Sequence, residues 1–192
     1  MSTRIYLDNH ATTPVDPAAL EAMLPYFTQK FGNAASRSHA YGWEAEEAVE
    51  IGREAVGAVL GASGKEIIWT SGATESINLA IKGVAEMYRQ KGSHIITTVV
   101  EHKATLDTCK YLETQGFEVT YLPVDPTGMI RLADLEAAFR PETILVSVIH
   151  GHNEIGTIQP AAEIGQRCKE RGVLFHLDAA QTFGKVPVDV EA

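Results

Sequence analysis

The sequence predicts an α/β protein with a mostly parallel sheet flanked by helices. Short β-branched runs alternate with amphipathic stretches of helical length. One run, Ile144-Leu145-Val146-Ser147-Val148-Ile149, is nearly all apolar, as a strand covered on both faces requires. Strands and helices also alternate singly, which favours parallel neighbours joined by right-handed crossovers. Strands are expected at residues 66–70, 94–99, 118–122, 143–149 and 173–177. Helices are expected between them at residues 73–89, 103–114, 132–139 and 161–170. In the second of these helices Leu106, Cys109 and Leu112 recur every three residues, the spacing of one buried stripe.

The first sixty residues have a different character. Two helices are expected there, at residues 17–29 and 41–60. The polar segment Gly32-Asn33-Ala34-Ala35-Ser36-Arg37-Ser38-His39 joins them, either as a solvated loop or as part of a site. The expected organisation is a helical lead-in over residues 1–61, followed by an α/β domain over residues 62–192. No internal repeat or low-complexity tract interrupts it.

Bulk properties exclude several classes. The chain has 192 residues, 45% hydrophobic and 21% charged, which suits a soluble globular protein. The formal net charge of −9 comes without a basic stripe, so no nucleic-acid partner is expected. No apolar run approaches the ~18 residues that span a bilayer, so no membrane partner is expected. The N-terminal apolar stretch is too short for a signal peptide, which makes the cytoplasm the expected compartment. Cys109 and Cys168 form no C-x-x-C pair, sit in helical patterns and are expected to be free thiols.

Four places carry chemistry. Ile67-Ile68-Trp69-Thr70 runs into Ser71-Gly72-Ala73-Thr74-Glu75 and then a helix. A Gly turn at a helix N-terminus offers free N–H groups and a positive dipole end to a phosphate, or is an ordinary cap. Thr98-Val99-Val100-Glu101-His102-Lys103-Ala104 places an imidazole at a strand's carboxyl end, where open α/β sheets bind ligands. That ring either stacks on a planar ligand and moves protons, or makes a local hydrogen bond. His150-Gly151-His152-Asn153-Glu154-Ile155-Gly156-Thr157 follows the apolar strand and offers the amide of Asn153, or a plain turn. Its candidate metal ligands are nearly contiguous and no further cluster completes a zinc pattern, so no metal is expected. His176-Leu177-Asp178-Ala179-Ala180-Gln181 ends a strand on a carboxylate, which is costly among apolar neighbours without a cationic partner. A protonated pyridinium nitrogen is such a partner; a helix N-cap is the alternative. Phosphate donors, a stacking histidine, an amide and a pyridinium carboxylate, in chain order at strand ends, are what a pyridoxal phosphate pocket needs.

These residues resemble a known family. Tyr6-Leu7-Asp8-Asn9-His10-Ala11-Thr12-Thr13-Pro14, Phe31 to His39, Thr70 to Ser76, Glu101-His102-Lys103-Ala104, Asn153-Glu154-Ile155-Gly156 and His176 to Gln181 match the N-terminal part of the cysteine desulfurases of the NifS/IscS type. These are class V members of the fold-type I pyridoxal phosphate enzymes. The resemblance implies a fold-type I large domain without its small C-terminal domain. It also implies conversion of L-cysteine to L-alanine, with sulfur passed to an enzyme cysteine as persulfide; selenocysteine lyase activity is the alternative within the class. It assigns Ala73 and Thr74 to the phosphate turn, and His102 to ring stacking and proton transfer. Asn153 goes to the phenolic oxygen and the substrate, Asp178 to the pyridinium, Gln181 to the phenolic oxygen and Asn33 to the substrate entrance.

The family's cofactor-anchoring lysine lies in a Ser-x-His-Lys motif further along than these 192 residues extend, as does its sulfur-accepting cysteine loop. Lys103 and Lys185 do not match that lysine, and Cys109 and Cys168 do not match that cysteine. The expectation is a catalytic unit that needs a C-terminal complement, forms a homodimer and hands sulfur to an acceptor or scaffold protein. A non-catalytic fragment or binding module is the rival.

Overall fold

The structure is a computed structural model that describes residues 4–190. Two compact units divide the chain: residues 1–69 with 187–192, and residues 70–186.

In the first unit, Asp16 caps helix α1 (Pro17–Thr28) by accepting from the Ala18 and Ala19 N–H groups, and Pro17 opens the helix with its fixed φ. Helix α1 buries none of its residues and leaves Leu20, Met23, Leu24, Tyr26 and Phe27 exposed. Helix α2 (Ala40–Leu60) starts at His39, whose Nδ1 accepts from Gly42 N–H at 3.2 Å.

The strand expected over residues 66–70 does not form. Ser63 and Glu66 close a capping box around a short 3-10 turn, Gly64–Glu66, and residues 67–70 form no regular element. Ile67-Ile68-Trp69 has strand propensity, but a strand exists only where a neighbour completes its ladder. No described residue pairs with this segment in a sheet; instead the Ile67 carbonyl accepts from the Arg53 guanidinium.

The second unit holds the sheet. Its elements are α3 (Ala73–Tyr88), β1 (His94–Thr98), α4 (Lys103–Thr114), β2 (Glu118–Leu122), α5 (Leu132–Ala138), β3 (Thr143–Ile149), α6 (Ala161–Arg171) and β4 (Leu174–Asp178). The four strands are parallel in the order β2-β1-β3-β4. Both central strands are buried along their whole length, and the two edge strands only in part. Successive residues face opposite sides. Ile95 and Leu145 pack with Ile77, Ile81 and Ala85 of α3 and Leu112 of α4. Their neighbours Ile96 and Val146 pack with Leu135 of α5 and Ile164 and Cys168 of α6. This two-sided cover explains why the central strands read as unbroken apolar runs.

The buried stripe of α4 differs from expectation. It runs through Thr105, Thr108, Cys109 and Leu112, while Leu106 is only half-buried. The spacing i, i+3, i+4, i+7 is helical as required, but two of its members are threonines. Thr108 remains satisfied by donating to Asn78 Oδ1 of α3 at 3.1 Å. At the amino edge of the sheet, buried His94 joins three strands through Thr143 on β3 (2.7 Å) and Thr120 on β2 (2.8 Å).

Candidate functional site

Helix α3 delivers the chain toward the start of β1, so it runs against the strands and its N-terminus lies at their carboxyl edge. The N-terminus of α4 and the loops after β3 and β4 open at the same edge. This edge is where open parallel sheets bind ligands.

At the start of α3, Gly72 has φ 155° and ψ 178°, a backbone region essentially restricted to glycine. No side chain caps the helix, and Ala73 and Thr74 are exposed. Glu75 turns back to accept from the Ser71 N–H (2.7 Å) and hydroxyl (2.5 Å), and these bonds hold its carboxyl below the usual range. Thr70 and Ser76 join their hydroxyls at 2.6 Å. The turn is braced by its own side chains, while the first-turn N–H groups carry no side-chain partner.

His102 caps α4, its Nδ1 accepting from Ala104 N–H at 3.1 Å. The ring proton therefore sits on Nε2, and the ring is exposed. Lys103 beside it points outward to an ion pair with Asp107 one turn on.

Asp178 ends β4 opposite Ile149 and is 7% exposed. Its Oδ1 accepts from Ala180 N–H at 3.0 Å, and its carbonyl accepts from His150 N–H at 2.9 Å. No lysine, arginine or histidine forms a salt bridge with it among the described residues.

The loop after β3 is pinned to the loop after β4. Buried His150 hydrogen-bonds through Nδ1 to Thr182 Oγ1 at 2.8 Å, and His152 Nδ1 accepts from Glu154 N–H at 3.0 Å. Both histidines thus serve local structure. Asn153 and Gln181, each half-buried, ride on these two loops. A Cβ on Gly151 would lie 2.4 Å from Thr182 Cγ2, so the loops touch because residue 151 lacks one. Gly151→Ala is expected to lower stability by about 1–3 kcal/mol through overpacking, and to weaken cofactor binding as the loops part. Thermal melts and a cofactor titration check this; an unchanged melt would show that the contact is not tight.

Six of the seven expected site residues, Ala73, Thr74, His102, Asn153, Asp178 and Gln181, therefore lie on the carboxyl edge of one sheet or on the loops and helix starts that leave it. Asn33 belongs to the first unit, where its Oδ1 accepts from Ala35 N–H at 2.9 Å in a tight turn. An apolar cleft of about 410 Å³ also lies in that unit, lined by Tyr26, Phe31, Val49 and Trp69 among others.

One buried group at the edge had no assigned role. Glu101 is 5% exposed, and its Oε1 accepts from Thr98 Oγ1 at 2.7 Å and from Ile149 N–H at 3.0 Å. Burial pushes its carboxyl up to about 7, with Asp178 contributing in the same direction. The argument that singles out Asp178, a carboxylate closing an apolar strand, applies equally to Thr98-Val99-Val100-Glu101.

A doubly covered parallel sheet with an uncapped helix start, an exposed ring and an unpaired buried carboxylate at its carboxyl edge defines an α/β cofactor-binding protein. The chain belongs to the aminotransferase class-V family, whose model matches residues 5–192. Within that family it is 60% identical over 192 residues to the cysteine desulfurase IscS of Anaeromyxobacter sp. (strain K), covering 48% of that protein. It is likewise 60% identical over 188 residues to the cysteine desulfurase IscS of Rickettsia africae (strain ESF-5), covering 46% of it. A solved NifS-like protein superposes with a TM-score of 0.94 at 46% identity, over 98% of this chain and 52% of that one. A structure described as SspA in complex with cysteine matches at a TM-score of 0.93 and 42% identity, over 97% of this chain and 53% of that one. The chain thus spans about half the length of the curated relatives it matches. The cofactor this family implies is pyridoxal phosphate, in agreement with the site residues. The donor set fits it: the uncapped start of α3 suits a phosphate, and buried Asp178 suits a protonated ring nitrogen.

Proposed function

We propose that the protein carrying this chain is a cysteine desulfurase and that these residues form most of its pyridoxal phosphate site. The observation that carries the reading is buried Asp178, which no charged side chain pairs among the described residues, on the same sheet edge as His102 and the start of α3. The names of the relatives and the cysteine complex of a structural neighbour support L-cysteine as substrate.

Pyridoxal phosphate, when bound, supplies an electron sink for the substrate's Cα. Asp178 holds the proton on its ring nitrogen. The N–H groups of Ala73 and Thr74 bind its phosphate. His102 stacks on the ring and passes a proton through Nε2. Asn153 and Gln181 donate to the phenolic oxygen, and Asn153 also orients the substrate carboxylate. A role for Asn33 at the substrate entrance rests on the resemblance alone.

In the net reaction the cysteine C–S bond breaks and an S–S bond forms on an enzyme thiolate, giving L-alanine and a persulfide. Cys109 and Cys168 are unsuited to be that thiolate, because burial pushes both up to about 12. We assign the accepting cysteine and the anchoring lysine to a C-terminal complement, supported by the solvent-facing ion pair of Lys103. The exposed apolar residues of α1 and the open edge strand β4 support further covering surfaces, and a homodimer of the complete unit fits that need. Free buried thiols fit a cytoplasmic setting and an intracellular sulfur acceptor.

Borohydride reduction of this chain with pyridoxal phosphate, followed by peptide mapping, is expected to label no lysine stoichiometrically. Labelling of Lys103 or Lys185 would defeat the complement. For the reaction itself, the full protein is expected to release alanine and persulfide sulfur in equal amounts from L-cysteine; alanine without bound sulfur would reject it.

A further inference from the structure

We propose that Glu101 is a positioning residue, whose carboxyl clamps the carboxyl ends of β1 and β3 and holds His102 in register with Asp178. The link to the cofactor rests on the reading above; the clamp itself does not.

The clamp is visible in the hydrogen bonds. Oε1 accepts from Thr98, the last residue of β1, and from the backbone of Ile149, the last residue of β3. Ile149 is in register with Asp178, and the next residue, His150, donates its N–H to the Asp178 carbonyl. Glu101 directly precedes His102, which caps α4. One carboxyl oxygen therefore ties the end of β1 that leads into His102 to β3, whose last residue pairs with Asp178 on β4.

The other oxygen is the informative one. Among the described residues Oε2 is buried and has no hydrogen-bond partner, and the same is true of Thr105 Oγ1 one turn along. An ionised carboxylate would leave a charged, buried acceptor unsatisfied, which is costly. A proton on Oε2 turns it into a donor and removes that charge. The surroundings favour the proton. The charged or titratable groups that face Glu101 are Asp178 on β4 and Cys109 on α4, with His102 next in the chain. No lysine or arginine contributes to its electrostatics. Below neutral pH the clamp is therefore a neutral acid, and it loses its proton as pH rises through about 7. The ionised form accepts more strongly through Oε1, but it places a second buried negative charge near Asp178 and leaves Oε2 as a charged acceptor without a donor.

The test needs readouts beyond catalysis. Infrared difference spectra of the apo-protein across pH 5 to 9 are expected to show a protonated-carboxyl stretch that disappears with a midpoint of about 7. Glu101→Gln should abolish that band. The Ile149 amide resonance, whose N–H the carboxyl accepts, should move with the same midpoint in wild type and lose that step in Glu101→Gln. Glu101→Gln keeps the Oε1 acceptor and mimics the acid, so it should bind pyridoxal phosphate as wild type does at low pH. Glu101→Ala should weaken binding about tenfold or more, its fold checked by circular dichroism. A carboxyl band that survives in Glu101→Gln, or an Ile149 amide blind to the step in wild type, would overturn the clamp. So would Glu101→Ala binding the cofactor like wild type. If the band and the resonances behave as expected while wild type binds no pyridoxal phosphate, the clamp stands and the cofactor reading fails.

Discussion

Asp178→Asn in the full, cofactor-loaded protein is expected to cut kcat for alanine formation about a thousandfold, on the order of 4 kcal/mol, with the fold intact. Asp178 is buried at the end of β4, and in the proposed site its carboxylate would keep a proton on the cofactor's ring nitrogen. The neutral amide of asparagine is nearly the same size and can still accept from Ala180 N–H, so packing and the local turn survive. What disappears is the charge. A neutral partner at residue 178 would no longer favour a proton on the ring nitrogen, and the electron sink that the cofactor would supply would be weaker. The loss should therefore fall on kcat, with a smaller change in KM, since the turn at Ala73 and Thr74 that we propose for the phosphate is untouched. The bound cofactor's absorbance should report the altered ring protonation independently of turnover. Turnover within a few fold of wild type would refute the role of Asp178.

Most of the sheet was legible because each strand carries its own signal. The ends of β2 and β3 agree with expectation, and those of β1 and β4 differ by one residue. Their apolar runs are long enough to need cover on both faces, and the structure supplies it with two helices on each side. Residues 66–70 misled for the opposite reason: local composition says nothing of whether a neighbour is present to pair with. The stripe on α4 misled because Leu outranks Thr in any reading of hydrophobicity. The helix turns Thr105 and Thr108 inward all the same, and Thr108 finds a partner on α3.

At the site, His102, Asn153, Asp178 and Gln181 stood out as candidates, because each follows a strand that the sequence itself signals. The residues that hold those groups in position did not. The Glu101 bond to Ile149 spans 48 positions, and the His150 bond to Thr182 spans 32. Such pairs exist only once β1, β3 and β4 lie side by side. Glu101 alone could have been singled out earlier, on the cost of a carboxylate beside Val99 and Val100.

Glu101→Gln is expected to stabilise the protein above neutral pH and to leave it nearly unchanged in acid. The Glu101 carboxyl titrates at about 7 in the folded state against 4.5 for the free side chain. Between those values the folded state binds a proton that the unfolded state has released, so stability falls as pH rises. The loss begins above pH 4.5 and is complete above about 7; a shift of that size is worth about 3 kcal/mol at 1.36 kcal/mol per pH unit. Histidines work in the opposite sense. Burial lowers His94, His150 and His176 below 6.5, so the unfolded state binds more protons in acid and these residues destabilise the fold as pH falls through that value. The wild-type profile mixes both trends, but the histidines are common to both proteins and cancel in the difference. The gap between Glu101→Gln and wild type should therefore open from roughly zero near pH 4.5 to about 3 kcal/mol by pH 8, or roughly 6–12 °C in Tm for a chain of this size. Thermal melts followed by circular dichroism at matched ionic strength measure it. A gap that stays flat from pH 4.5 to 8 would mean that Glu101 carries no extra proton in the folded state. A gap that opens in acid would reverse the sign of the argument and place a cation beside the carboxyl after all.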